Sequence, residues 1–307
     1  MDERRYREAE AALWRKVGLR PSERLLELPA VGATVRVQEV GEGPPVVFVH
    51  GASNGGTSWA PLVAGLPGFR SILVDRPGCA LSPTLDRRFA GMAELGAFAD
   101  ELVVAVLDAL ELASANLIAT SFGGYFALRA AAAHPARIDR LVELSWPFGA
   151  PMDSTPVIMR LAMVPLVGRL GARIPPTERM ARSLLKQIGL RHAVESGRFG
   201  PAEMGWFLSL LRDTDTMRNE LDTVPRLVTL RGFNDETLLP AALLARVACP
   251  ALFVWGIDDP NGGAGIARTF VGRLPDAELE LMPRAGHAPW MDDPEHVAAR
   301  IQMFLHR

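Results

Sequence analysis

The chain of 307 residues is long enough to bury a substantial core, as one large α/β domain or as two smaller ones. Its 33 basic and 35 acidic residues give a formal net charge of −2, without a long run of one sign. This balance gives no electrostatic footprint for nucleic acid or for an anionic membrane surface, and two cysteines are too few for a disulfide-rich scaffold.

The N-terminal residues are charged throughout and lack the apolar core of a signal peptide. They predict a helix to about Lys16, with Ala11, Leu13 and Trp14 as its apolar contacts, and Pro21 follows it as a helix breaker. The most apolar stretch, residues 156–172, carries two arginines and falls short of a membrane-spanning helix. We therefore expect a soluble, cytoplasmic protein, and a homo-oligomer is left open.

Short apolar runs predict the strands of a sheet. Residues 45–50 are apolar without alternation, as in a strand that is covered on both faces. Similar runs recur at residues 71–75, 116–120, 141–145, 251–255 and 278–282, and two β-like stretches lie earlier, at residues 23–29 and 33–39. Apolar residues at helical spacing lie between the runs, at residues 92–110 and 122–133. The alternation predicts an α/β protein with a mostly parallel sheet and helices on both faces.

Residues 147–247 break this rhythm. They contain helical segments rich in Leu, Met and Arg, many prolines, and no strand of the buried type. We interpret this block as a helical cap above the sheet. Residues 1–146 and 248–307 then form the core.

Three reactive side chains follow the predicted strands at their carboxyl ends, where open parallel sheets bind ligands. Ser121 lies in Ala119-Thr120-Ser121-Phe122-Gly123, and its small neighbours suit a tight, strained turn between a strand and a helix. Asp258 and Asp259 follow the strand at 251–255, and His287 follows the last strand. A neutral imidazole at His287 can take the proton from Ser121 and return it to a leaving group, while a carboxylate orients the ring. The two aspartates are adjacent, and only one can face that ring.

Further residues complete this hypothesis. The backbone N–H of Phe122, at the start of a helix, would stabilise negative charge on the substrate. The other five histidines are interpreted as structural or surface residues. The chain has no His-Glu-x-x-His motif, no cysteine pair at ligand spacing and no Walker-type loop, so we expect no metal and no cofactor.

Several of these motifs together resemble the α/β-hydrolase superfamily, over residues 23–307. They are the loop at His50-Gly51, Asp75-Arg76-Pro77-Gly78, the Ser121 turn, the acid turn and Gly286-His287. Ala119 stands where glycine is commoner, and Cys79-Ala80 replaces the more usual small-Gly pair. The resemblance implies the α/β-hydrolase fold, a cap inserted after the sixth strand, Asp259 as the acid and the N–H of Ala52 as the second oxyanion donor.

The leading prediction is therefore a cofactor-independent serine hydrolase that cleaves an ester, lactone or thioester through an acyl-enzyme. Apolar and Met residues of the cap predict a pocket for a hydrophobic small molecule. They include Phe148, Met152, Ile158, Met159, Leu161, Met163, Met204, Trp206 and Phe207. Predicted substrate contacts are Ser53, Asn54, Trp59, Trp146 and Trp290.

Other functions remain open. The loop at residues 50–59 resembles that of hydrolases that cleave carbon–carbon bonds in ring-fission products, although Asn54 and Gly55 depart from the usual Gly-Pro. Those enzymes share the Ser-Asp-His order and a helical cap, so a diketone-like substrate is the first alternative. Biosynthetic acyl transfer or cyclisation, and a non-catalytic ligand receptor on the same fold, are further alternatives.

Overall fold

The computed structural model describes residues 1–152, 176–223 and 234–307 in full, and residues 228–229 and 232–233 as backbone. Among these residues the strands are β1 Ser22–Leu28, β2 Ala33–Val40, β3 Pro45–Val49, β4 Arg70–Asp75, β5 Ala115–Ala119, β6 Ile138–Leu144, β7 Val228–Thr229, β8 Gly232–Phe233, β9 Ala251–Gly256 and β10 Ala277–Met282. The helices are α1 Glu3–Lys16, α2 Ala60–Val63, α3 Met92–Ala109, α4 Phe122–Ala133, α5 Glu178–Gln187, α6 Arg191–Glu195, α7 Pro201–Asp213, α8 Thr216–Thr223, α9 Ala241–Leu244, α10 Ala264–Val271, α11 Pro289–Asp292 and α12 Pro294–Leu305.

Eight strands form one sheet in the order β1-β2-β4-β3-β5-β6-β9-β10. The β1–β2 and β2–β4 pairs are antiparallel, and all later neighbours are parallel. The carboxyl ends of six strands therefore meet at one edge. The predicted α/β fold with a mostly parallel sheet is confirmed, and every predicted strand is present.

The central strands are apolar along their whole length because helices cover both faces of the sheet. All residues of β5 and β9 are buried. One face packs with α3 and α4, and the other packs with α1, α7 and α12 in a second apolar cluster. Continuous rather than alternating hydrophobicity was the sequence signal for this two-sided burial.

Helix α1 joins the sheet to the segment between β6 and β9. The expected contact of Ala11 is wrong, because this residue is exposed, whereas the charged Glu10 is buried. Glu10 can be buried because it pairs with the guanidinium of Arg36 on β2, at 2.6 Å. One turn earlier on the same face of α1, the hydroxyl of Tyr6 accepts a hydrogen bond of 3.2 Å from the indole N–H of Trp206 on α7.

The segment between β6 and β9 contains helices α5 to α9 and the short antiparallel pair β7–β8, which the sequence had not suggested. Its last part, with Leu239, Leu243, Leu244 and Val247, packs into the same apolar cluster as α3 and α4. This part of the predicted cap therefore packs with the core, and the exact division into core and cap stays a prediction. Four predicted pocket residues and the apolar stretch 156–172 lie outside the described residues. The four are Ile158, Met159, Leu161 and Met163.

None of the helices in the described parts of the chain combines the length and the apolarity needed to cross a bilayer.

Candidate active site

Ser121 occupies a sharp turn between β5 and α4, with φ of +53° and ψ of −123°. This backbone conformation is costly for a residue with a Cβ atom, by roughly 1–3 kcal/mol, and persists only where the surroundings enforce it. A Cβ atom on Gly123 would overlap the carbonyl oxygen of Val49, so glycine is required there. A Cβ atom on Gly51 would lie 3.1 Å from that of Ser121. The loop after β3 therefore packs directly against the turn and leaves the serine partly exposed at the sheet edge.

The two predicted oxyanion donors lie on either side of this contact. Phe122 is the first residue of α4, where backbone N–H groups have no intrahelical partner and the helix dipole favours negative charge. Ala52 directly follows Gly51 in the loop after β3 and is exposed. This placement suits two N–H donors around a carbonyl oxygen bound at Ser121, and their role stays a prediction.

The structure brings Asp259 and His287 together. The Nδ1 atom of His287 lies 2.8 Å from Oδ2 of Asp259, whose side chain is fully buried. The same carboxylate accepts hydrogen bonds from the hydroxyl of Ser145, at 2.5 Å, and from the backbone N–H of Asn261, at 2.9 Å. Burial acts to raise the pKa of Asp259, but His287 and these donors outweigh it, and the pKa lies below its usual value. An ionised Asp259 favours the neutral ring of His287 with its proton on Nδ1, and the role of Nε2 as a base stays a prediction.

Asp258 points elsewhere. Its carboxylate is half exposed and lies 2.7 Å from Nε2 of His192 on α6. The two adjacent aspartates therefore have separate partners, His287 for Asp259 and His192 on α6 for Asp258.

His50 has both ring nitrogens occupied within the fold. Its Nε2 accepts the backbone N–H of Arg76 at 3.0 Å, and its Nδ1 lies 2.8 Å from the carbonyl oxygen of Gly51. Burial and the charge of Arg76 lower the pKa of His50 well below its usual value, so the ring is neutral. His50 thus holds the loop after β3 in place, in keeping with its structural interpretation.

The turn between α5 and α6 packs beside His287, and nothing in the sequence pattern had indicated it. The carbonyl oxygen of Gly189 accepts the backbone N–H of His287 at 3.0 Å. A Cβ atom on Gly189 would lie 2.6 Å from that of His287, so this approach requires glycine. The Asp292 carboxylate reinforces it by accepting the N–H groups of Gly286, at 2.8 Å, and of Ala193 on α6, at 2.7 Å.

The predicted aromatic contacts fall into two groups. Trp59 and Trp290 are buried against each other, with ring centroids 4.5 Å apart, which gives them a packing function. Trp146 lies beside the site, with its ring centroid 6.3 Å from that of His287 and its indole N–H donating to the carbonyl oxygen of Pro151. Contact of these three rings with a substrate stays a prediction.

The two predicted polar contacts are both engaged within the protein. The hydroxyl of Ser53 donates to Glu220 on α8 at 2.9 Å. The side-chain oxygen of Asn54 accepts the N–H of Gly55 at 2.9 Å. In this structure these side chains stabilise the loop, and their contact with a substrate also stays a prediction.

Glu143 on β6 is an unexpected charged residue beneath the Ser121 turn. It pairs with Ala119 in the sheet register, is fully buried, and fills the space that any side chain at Gly124 would need. Among the described residues, neither carboxyl oxygen has a partner at full hydrogen-bond geometry, and the backbone N–H of Ser121 is the one group that acts on the carboxyl through a weaker contact. Burial raises the pKa of Glu143 well above its usual value, although the backbone N–H of Ser121 opposes this shift. Glu143 therefore keeps its proton to a higher pH in the folded protein than in the unfolded chain.

We expect this buried carboxyl to make stability depend on pH. The folded state keeps the proton over a pH range in which the unfolded chain has lost it, so the free energy of unfolding should fall as pH rises through that range. Glu143→Gln should remove the part of this pH dependence that comes from Glu143. The free energy of unfolding of the variant, minus that of the wild type, should then rise by up to about 1.4 kcal/mol per pH unit above pH ~5. Denaturant unfolding between pH 5 and 9 measures it, with the exposed Glu42→Gln as control. Parallel pH profiles for Glu143→Gln and wild type would contradict the expectation.

Within the described ranges, no group of three or more His, Cys, Asp or Glu side chains is arranged to hold a metal ion. The absence of a cofactor stays a prediction.

Three comparisons with known proteins give matches: to a family model, to individual sequences and to solved structures. The family model described as the alpha/beta hydrolase family matches residues 46–300. A 2-hydroxy-6-oxononadienedioate/2-hydroxy-6-oxononatrienedioate hydrolase from Dechloromonas aromatica is 26% identical over 261 residues, covering 80% of this chain and 81% of the relative. Among solved structures, a carboxylesterase from Bacillus subtilis has a TM-score of 0.77 at 20% identity, covering 99% of this chain and 98% of that one.

A meta-cleavage product hydrolase from Pseudomonas fluorescens has a TM-score of 0.73 at 17% identity, covering 92% of this chain and 97% of that one. At such identities the structural matches establish the fold alone. The family model spans most of the chain, from the first buried strand to the last helix. The chain therefore belongs to the alpha/beta hydrolase family and is a hydrolase of that family.

Proposed function

We propose that the protein is a serine hydrolase that cleaves an ester-type bond of an uncharged, apolar small molecule. The observation that carries this proposal is the buried Asp259 bonded to His287, at the same sheet edge as the strained turn of Ser121. A hydroxyl, a base and an orienting carboxylate that follow β5, β10 and β9 at one edge of the sheet are the parts that nucleophilic acyl transfer needs.

The proposed reaction has two halves. Ser121 Oγ attacks the carbonyl carbon while Nε2 of His287 takes its proton, and the N–H groups of Ala52 and Phe122 stabilise the oxyanion. Collapse of the tetrahedral intermediate expels the alcohol, which receives the proton from His287 and leaves an acyl-enzyme. Water then attacks the acyl carbon, His287 takes its proton, and the second collapse returns that proton to Ser121 and releases the acid.

The charges around the site favour an uncharged substrate. The curated relative is named for a dioate, which carries two carboxylates, and a buried carboxylate needs a cation or several donors. Beside the loop after β3, the buried cation is Arg76, and its guanidinium is already bound to Glu220 and to the carbonyl oxygen of Gly51. In the described part of the site, the charge of Arg76 is therefore already neutralised by Glu220 and would not stabilise a substrate carboxylate.

Cleavage of a carbon–carbon bond is the second candidate, because the curated relatives that match most of the chain carry the names of such hydrolases. The same serine, histidine and aspartate would act on a ketone carbonyl, and a carbon leaving group would take the place of the alcohol. The two candidates differ in the leaving group and in the charge of the substrate, so one substrate series separates them.

We expect kcat/KM for p-nitrophenyl hexanoate to exceed that for p-nitrophenyl acetate by about tenfold or more, since each buried CH₂ contributes about 0.8 kcal/mol. A succinyl half-ester should be poorer than either. The series also includes 2-hydroxy-6-oxo-6-phenylhexa-2,4-dienoate, the compound that gives a Rhodococcus hydrolase of the same fold its name. Ser121→Ala protein provides the background rate. Faster turnover of the dienoate than of every ester would favour the second candidate, and a preference for the charged ester would contradict an apolar site.

A further inference from the structure

Helix α8 lies across the loops that follow β3 and β4. The side-chain amide of Asn219 donates to the carbonyl oxygen of Gly78 at 3.0 Å, and the hydroxyl of Thr216 accepts the N–H of Ala80 at 2.9 Å. One residue after Asn219, α8 presents the carboxylate of Glu220 to the loop after β3. Three independent polar contacts thus fix this cap helix to the edge of the sheet.

Glu220 binds both sides of the loop that contains Ala52. One carboxylate oxygen accepts the backbone N–H of Ser53 and, at 2.9 Å, its hydroxyl. The other oxygen accepts the guanidinium of Arg76, which donates in turn to the carbonyl oxygens of His50, at 3.0 Å, and Gly51, at 2.9 Å. The peptide groups before and after Ala52 are therefore held by one ion pair.

The loop needs these contacts because its backbone adopts a conformation that is unfavourable by itself. Ser53 has φ of +50°, a value that costs free energy for a residue with a Cβ atom. The contact also reaches the other predicted oxyanion residue, because the guanidinium carbon of Arg76 lies 4.8 Å from the ring centroid of Phe122. The pair thus connects α8 with both predicted donors.

Burial makes this connection strong. The side chains of Arg76 and Glu220 are only 4% and 12% exposed. When one member of a buried ion pair is removed, the other is left as an uncompensated charge. Withdrawal of α8 from the loop would have that effect on Arg76, and it would also leave the N–H of Ser53 without its acceptor.

We propose that Glu220 is a positioning residue that makes the cap a working part of the oxyanion site. It directs the N–H of Ala52 by holding the peptide groups on either side of it, so that the site is complete only while α8 is docked. This inference rests on the proposed function, since it assumes that an oxyanion forms at Ser121.

The test compares Glu220→Gln and Glu220→Ala with a matched control, Glu178→Gln. Glu178 is also a cap glutamate paired with an arginine, Arg182, but both are exposed on α5. For each protein we would measure kcat and KM with p-nitrophenyl hexanoate, the rate of Ser121 labelling by a fluorophosphonate probe, and the midpoint of thermal unfolding. Phosphonylation also places negative charge on an oxygen at the oxyanion site, so the probe reports on that site directly.

We expect Glu220→Gln to lower kcat and the labelling rate by about 10-fold, and Glu220→Ala by about 100-fold, because loss of one oxyanion donor costs 10²–10³-fold and displacement costs less. KM should change by less than threefold, and Glu178→Gln should match the wild type. If Glu220→Ala does not fold, Glu220→Gln carries the test, because it keeps the size of the side chain and one acceptor.

Wild-type kcat and labelling rates in both Glu220 variants would overturn the inference and leave the serine mechanism intact. Equal losses in kcat and in affinity, with a lowered unfolding midpoint, would also overturn it by showing a purely structural role. Absence of both labelling and turnover in the wild type would instead refute the proposed function.

Discussion

Ser121→Ala protein should turn over p-nitrophenyl hexanoate at least ~10³-fold more slowly than the wild type, because the attacking oxygen is gone while the oxyanion donors and His287 remain. Alanine keeps the Cβ atom, so the cost of φ at +53° is present in both proteins. The midpoint of thermal unfolding should therefore stay within a few degrees of the wild-type value. Single-turnover and steady-state rates with purified protein measure the effect.

The control for this variant is Ser183→Ala. Ser183 is exposed on α5 and contacts only Gln187 among the bonds that the structure shows for it. It should keep wild-type activity. If Ser121→Ala retained near-normal turnover of a substrate that the wild type cleaves, Ser121 would not be the nucleophile.

Asp259→Asn should lower kcat by up to ~10⁴-fold, the size of the effect found for the orienting aspartate in other triads. An amide at this position would place a donor beside Nδ1 of His287 and favour the tautomer that has its proton on Nε2. The hydroxyl of Ser145 would also lose a charged acceptor. Rates measured across pH 5 to 9 show whether the loss persists where the imidazole is neutral, as a wrong tautomer requires.

Asp258→Asn is the matched comparison, because it makes the same chemical change one residue away. The carboxylate of wild-type Asp258 is half exposed and pairs with His192. We therefore expect the substitution to lower kcat by less than ~5-fold, as for other exposed pairs. If Asp258→Asn were the more damaging substitution, Asp258 and not Asp259 would be the acid.

The fold and the strained turn at Ser121 could be predicted from the sequence because their signals are local. A buried strand is a continuous apolar run of five or six residues, as in β3 and β9, and a helix is an apolar repeat of three or four. The Ser121 turn also depends on near neighbours, since Gly123 must be small to pass under the end of β3. Each of these features depends on residues that lie within a few positions of each other in the sequence, and the structure contains all of the predicted strands.

The partners of each polar group were decided only by the tertiary structure. Asp258 and Asp259 are adjacent residues of the same type, and the sequence pattern alone could not show which of them faces His287. In the folded chain, Ser145 reaches one carboxylate across 114 positions, and His192 reaches the other across 66. The fit of Gly189 against His287 and the hold of Glu220 on Ser53 likewise join segments that are distant in sequence. No periodicity marks such contacts, because they depend on where the segment between β6 and β9 returns to the sheet edge after the chain has folded.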